Sequence, residues 1–231
     1  MAVVAGGLAV LAMFGCVSSS PTAAFAVTAS SAGRLQPLYP DVDLRGAELV
    51  VDLETPEQAD WFGVAGSDGR MLSDARPVVA DVADEKNRVA RCLEMGLRAA
   101  EQLVLDVARA GQVGRPTDWR EFGSLLLSIH GPPEGADLNF CIQSGSEPGR
   151  RWLQAMNVGP GWNRLRVDLE PVRRQVDLAD VRRLSWQLIP GRTEATLRFD
   201  DLALADRREW LAGRNAGAGE LYAFGCGRRL H

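Results

Sequence analysis

Leu138-Asn139-Phe140-Cys141-Ile142-Gln143 changes from a large apolar side chain to a smaller or polar one at every step. Period two puts Leu138, Phe140 and Ile142 on one side of an extended chain and Asn139, Cys141 and Gln143 on the other, the signature of a strand with one buried face. The alternation recurs outward in both directions. Leu103, Leu105 and Val107 alternate with Val104, Asp106 and Ala108; Leu165, Val167 and Leu169 with Arg166, Asp168 and Glu170; Leu184, Trp186 and Leu188 with Ser185 and Gln187. Apolar runs at residues 49–53, 90–97, 122–129, 151–156 and 196–204 bring the expectation to about nine strands, punctuated by Gly, Pro, Asp and Asn. Helical signals are weak: residues 172–178 are short and charged and read as a loop with a single helical turn, and residues 207–212 as another short turn. The expected fold class is all-β, an antiparallel β-sandwich of Greek-key or jelly-roll type.

The last run contains a break in parity. Leu197 and Phe199 share a face, yet the next apolar residues are Leu202 and Leu204. Strict alternation would turn those two outward, so a β-bulge is expected at Asp200-Asp201.

Composition narrows the class. The chain has 231 residues, 46% hydrophobic and 24% charged, with a formal net charge of −4. That apolar content is enough for a real core and excludes a disordered chain, while the mild acidity argues against nucleic-acid binding, which needs a basic surface. Residues 1–26 carry no charge and include an apolar stretch at 2–14 too short to span a bilayer, followed by Ala24-Phe25-Ala26 with small-x-small spacing. They are expected to form a secretory signal cleaved after Ala26. Gly15-Cys16 ahead of a Ser/Pro stretch also resembles a bacterial lipidation site, and an acyl chain on Cys16 would be the one route to a membrane. The expected organisation is a signal at 1–26, a polar tether at 27–46, the sandwich at 47–206, and a Gly-rich tail or the start of a following domain at 207–231. Localisation is expected to be exported: secreted, periplasmic or in the cell envelope.

Motifs for catalysis are absent. His130 lies beside Gly131-Pro132-Pro133 and His231 ends the chain, and neither has a neighbouring nucleophile; no Gly-x-Ser-x-Gly elbow, phosphate-binding loop or zinc spacing occurs. Cys92, Cys141 and Cys226 have irregular spacing that reads as idle thiols, with one Cys92–Cys141 disulfide as the oxidised alternative.

Five segments in order resemble the carbohydrate-binding-module and galactose-binding-like β-sandwich group: Val51-Asp52-Leu53-Glu54 with Asp60-Trp61; Thr117-Asp118-Trp119-Arg120-Glu121-Phe122; Gly159-Pro160-Gly161-Trp162-Asn163-Arg164-Leu165-Arg166-Val167-Asp168-Leu169; Asp177-Leu178-Ala179-Asp180-Val181-Arg182-Arg183-Leu184; and Thr196-Leu197-Arg198-Phe199-Asp200-Asp201-Leu202-Ala203-Leu204. The resemblance implies a non-catalytic carbohydrate-binding-like module, accessory to a glycan-active protein. It also implies a structural Ca²⁺ between the first and last strands, held here by Asp52 or Glu54 with Asp200 or Asp201, since hard oxygen donors at a bulge suit that ion.

Sugar recognition uses flat aromatic faces beside hydrogen-bonding side chains. Trp61, Trp119, Trp162 and Trp186 read as core or corner residues, whereas Trp152 has the opposite parity to Leu153 and Ala155. Trp152 with Gln154, Asn139, Gln143 and Gln187 is therefore the expected surface for a neutral glycan or polysaccharide, with Ser185 nearby. The competing expectation is an envelope-tethered structural or protein-interaction sandwich using the same sheet face; a glycoside hydrolase stands behind both.

Overall fold

A computed structural model describes residues 44, 46–73, 77–83, 89–145, 149–189, 191 and 193–206. The proposed signal, Cys16 and the Gly-rich tail lie outside the described residues. Within them the chain forms strands β1 (Glu48–Val51), β2 (Phe62–Ala65), β3 (Val78–Ala83), β4 (Val89–Arg98), β5 (Gln102–Asp106), β6 (Phe122–Gly131), β7 (Ala136–Ser144), β8 (Arg150–Val158), β9 (Gly161–Asp168), β10 (Val181–Leu188) and β11 (Glu194–Asp206). A 3-10 turn spans Pro56–Trp61, and two single-turn helices, α1 (Val107–Gly111) and α2 (Leu169–Arg173), follow β5 and β9.

The strands make an antiparallel β-sandwich. One sheet has the order β3-β4-β11-β6-β9, with β1 also on β11; the other has the order β2-β5-β10-β7-β8. β11 organises the first sheet because its 13 residues are long enough to pair β4 with one half, β1 with the other, and β6 along its opposite side. Between the sheets lies one continuous apolar core that draws on both. Trp186 and Phe140 from the five-stranded sheet meet at 5.3 Å, and Trp186 meets Phe199 from the six-stranded sheet at 5.0 Å, so tilted ring contacts join the two layers.

The expected bulge is present. Phe199 pairs with Ile129 and Leu202 with Leu127, leaving Asp200 and Asp201 together opposite Ser128. The extra residue restores Leu202 and Leu204 to the core, where both are buried. The expected strands all form, but two of them end sooner than alternation suggests. Val107 and Leu169 belong to helices instead, because the preceding aspartates act as caps: Asp106 Oδ1 accepts from the Arg109 N–H at 3.0 Å, and Asp168 Oδ1 accepts from the Glu170 N–H at 2.9 Å. Strands β2 and β3 were not expected.

Cys92 and Cys141 are free thiols. They stand on the outward parity of different sheets, with Cys92 paired to Ala80 and Cys141 to Leu153. The core between them separates the two sulfurs beyond disulfide reach, which corrects the oxidised alternative.

Candidate functional site

The outer face of the five-stranded sheet is assembled by register. Gln102 on β5 pairs with Gln187 on β10, Gln187 with Asn139 on β7, and Asn139 with Ala155 on β8, while Ala65 on β2 completes the row. One step along the strands, Gly63, Val104, Ser185, Cys141 and Leu153 form a second row. A further step gives Asp106, Arg183, Gln143 and Arg151. Side chains two apart along a strand share a face, and neighbouring strands lie about 4.8 Å apart. Three chemically distinct stripes therefore run across the strands: amide, apolar with two small polar groups, and guanidinium.

The middle stripe is the floor of a shallow groove of about 150 Å³, whose lining takes in residues from all three rows. Buried ligand pockets run to about 300 Å³ or more, so this depression suits a chain lying across it rather than a molecule enclosed by it. Its edges are apolar. At β8, Leu153 stands 66% exposed. At β2, Met71 lies over Gly63, where an added Cβ would sit 2.2 Å from the Met71 Cε. Gly63 is thus the residue that lets the methionine close down on the sheet.

Both arginines act on the floor. Burial pushes the Cys141 thiol above its ordinary pKa, and the charges of Arg151 and Arg183, with a hydrogen bond from Ser185, pull against that rise. Asp106 is the acid in the guanidinium stripe, and its carboxylate caps α1. Asp137, one step beyond the amide stripe, accepts a hydrogen bond from Asn157 Nδ2 at 2.8 Å. The two ends of the face therefore differ in sign.

Of the residues expected to bind sugar, Asn139, Gln143 and Gln187 come together on this face. Trp152 does not. It is 8% exposed, pairs with Ile142, and meets Phe140 edge-on at 6.5 Å inside the core. Leu153 takes the outward position, so the parity assigned to β8 is corrected by one residue. Gln154 goes inward with Trp152: it pairs with Phe140 and is half-buried at the sheet edge. The residues that sequence reasoning missed are Gln102, Arg151, Arg183 and Met71. Gln102, Arg151 and Arg183 have the parity of Val104, Leu153 and Ser185 and were readable once each strand's inward face was known; Met71 arrives from a loop and left no periodic signal.

The four acids proposed for Ca²⁺ stand in different settings. Asp52 takes the Arg115 guanidinium at 3.2 Å and also accepts from Gln58 Nε2 and the Glu54 N–H. Burial alone would raise the Asp52 pKa, but those hydrogen bonds and the Arg115 charge hold it below the usual carboxylate range. Glu54 is exposed, and Asp200 and Asp201 are buried on the bulge. Among the described residues no three of His, Cys, Asp and Glu are placed to hold a metal ion.

An aromatic pair does occur at the edge of the other sheet. Trp162 on β9 meets His130 on β6 at 5.3 Å in a T-shaped contact. Burial, then the Arg198 charge, lowers the His130 pKa.

No protein-family model matches the chain, and no curated protein matches it. Solved structures do match its fold. Part of an exo-β-agarase superposes with a TM-score of 0.51 at 12% identity, covering 68% of this chain and 24% of that one. A family 11 carbohydrate-binding module from Clostridium thermocellum, solved with a β-1,3-1,4-mixed-linked tetrasaccharide, gives 0.48 at 12% identity over 69% of this chain and 95% of that one. A family 30 carbohydrate-binding module of a Clostridium thermocellum cellulosomal cellulase gives 0.43 at 15% identity over 64% and 92%. The agarase likeness shows a shared β-sandwich fold, and the chain spans about a quarter of that enzyme's length.

Proposed function

We propose that this chain is a non-catalytic, exported glycan-binding module that holds a polysaccharide across the outer face of its five-stranded sheet. The observation that carries this reading is the amide stripe, Gln102, Gln187 and Asn139 in register on neighbouring strands beside an apolar floor. A sugar ring has C–H patches on its faces and hydroxyls around its rim. Val104 and Leu153 suit the patches, and carboxamides, which both donate and accept, suit the hydroxyls. The groove is open at the surface, as a polymer requires.

Three further observations support the finer parts of the reading. Glycoside hydrolysis needs a pair of carboxyl groups across the scissile bond, and no Asp or Glu is among the described residues lining the groove. Export rests on the uncharged apolar leader and Ala24-Phe25-Ala26. An accessory place in a larger glycan-active protein suits a fold that also occurs within an exo-β-agarase.

The test is affinity electrophoresis of the full chain through gels containing a panel of polysaccharides, with wild type beside Asn139→Ala/Gln187→Ala. The double variant should keep its thermal midpoint and lose most of its retardation. A folded wild type that no polysaccharide retards, or a double variant retarded as strongly as wild type, would sink the proposal.

A further inference from the structure

The net charge of −4 suggests a neutral ligand, but charge averaged over a chain says little about one stripe on one face. Only groups within about a Debye length, roughly 8 Å at physiological salt, act strongly on a bound chain. Among the described residues lining the groove, the charged ones are Arg183 and Arg151. They stand on β10 and β8 with Gln143 on β7 between them, so their backbones are about 10 Å apart. Both arginines line the groove together with Cys141 in its floor. Two acids lie on this face outside the groove lining: Asp106, cross-strand from Arg183, caps α1, and Asp137, at the opposite end, is bonded to Asn157.

The middle stripe adds a second argument. Its side chains are Val104, Ser185, Cys141 and Leu153, flanked by Met71, and none is a flat aromatic ring. Trp152, the ring expected to stack on sugar, faces the core. Without stacking, a neutral chain has weak apolar contacts and a few neutral hydrogen bonds of modest net strength. An anionic chain adds charge-assisted bonds to guanidinium, roughly twice as strong, with a planar two-point geometry that carboxylate matches.

Resting on the glycan-binding reading above, we infer that the ligand of this groove is an acidic polysaccharide. Its anionic groups lie along the Arg183–Gln143–Arg151 stripe, its hydroxyls along Gln102–Gln187–Asn139, and its ring faces on the floor between. Carboxylate and sulfate share this chemistry, and the experiment separates them.

Binding of the full chain is measured by calorimetry and affinity electrophoresis against polygalacturonate, dextran sulfate and a neutral mixed-linkage β-glucan, at about 50 and 300 mM salt. At least one acidic polymer should bind more tightly than the β-glucan and weaken as salt rises. Polygalacturonate alone identifies carboxylate as the recognised group; dextran sulfate alone identifies sulfate. Arg151→Gln and Arg183→Gln should each weaken that binding about tenfold. Arg164→Gln, an exposed arginine on the outward face of β9 in the other sheet, removes the same charge and should leave it unchanged. Thermal midpoints confirm that each variant is folded. Tighter binding of the neutral β-glucan, or acidic binding that Arg164→Gln weakens as much as Arg151→Gln does, overturns the inference. Neutral binding that Asn139→Ala/Gln187→Ala abolishes would leave the glycan module standing while removing its acidic ligand, whereas no binding to any polymer removes both.

Discussion

Trp152 and Leu153 are adjacent and both apolar, and which of them turns inward decides what the outer face of the sheet presents. Alternation alone leaves the choice open on an edge strand, because Trp152, Leu153, Ala155 and Met156 put apolar groups on both sides. Packing decides it: the larger ring gains more by burial and meets Phe140. Trp152→Ala should cost about 3 to 5 kcal/mol of stability in urea unfolding, whereas Leu153→Ser should change it by about 0.5 kcal/mol or less and weaken polysaccharide binding. The inward faces of β7 and β10 were legible because Phe140 and Trp186 alternate with Asn139, Cys141 and Gln187; β8 lacks that contrast. A second residue-scale feature gave no periodic signal. Asp52 and Arg115 are 14% and 9% exposed, and Trp61 lies 6.0 Å from the guanidinium. Arg115→Met leaves a carboxylate half-buried without its cation and should cost about 3 kcal/mol near neutral pH. Because the folded pKa of Asp52 is lowered, its contribution is present above the unfolded carboxylate pKa and is lost as pH falls through the folded value. Arg115→Met should therefore flatten the acid limb of a stability-against-pH curve, and an unchanged limb would contradict this account.

Elements end where a single polar residue offers the backbone another partner. Asp106 and Asp168 sit in outward strand positions, and alternation carries the eye past both to Val107 and Leu169. Their carboxylates accept N–H groups further along the chain and turn β5 and β9 into short helices. Asp168→Ala should cost about 1 kcal/mol and Asp168→Asn much less, read as urea midpoints. The bulge in β11 was legible for the opposite reason: a core position has no local alternative, so an apolar pair on the wrong parity implied an inserted residue. β2 and β3 were illegible because β2 is four residues long with Gly63 in the middle, and β3 runs Val-Val-Ala-Asp-Val-Ala with no clean alternation. Gly63 had no reading from sequence, since its role depends on Met71 arriving from the loop that follows β2. Gly63→Ala should displace Met71 and open that edge of the groove, weakening binding while leaving most of the stability intact.

At the scale of the whole molecule, the sandwich presents two outer faces with different chemistry, and each holds one cysteine. Cys92 is fully buried and its pKa is pushed up to about 11, first by burial and then by Asp200, so it should resist alkylation. Cys141, half-buried in the groove floor with a raised pKa, should label slowly near pH 7 and faster as pH rises past the ordinary thiol range. Saturating polysaccharide should slow labelling at Cys141 and leave Cys92 unchanged in peptide-resolved mass spectrometry; equal rates with and without polymer would place the ligand elsewhere. The proposed leader makes its own prediction: the exported protein should begin at Val27 or, if acylated, at Cys16. The stripes cross the strands instead of following them. Five strands, drawn from stretches of sequence as distant as residues 62–65 and 181–188, lie side by side beneath one ligand. A polymer laid across them acts as a batten nailed across planks, and it has most to add at β2 and β8, which among the described residues have one neighbouring strand each in that sheet. Amide exchange in the bound state should accordingly slow more at these margins than at β10 in the centre, so the ligand would complete the sheet's rigidity where hydrogen bonding between strands runs out.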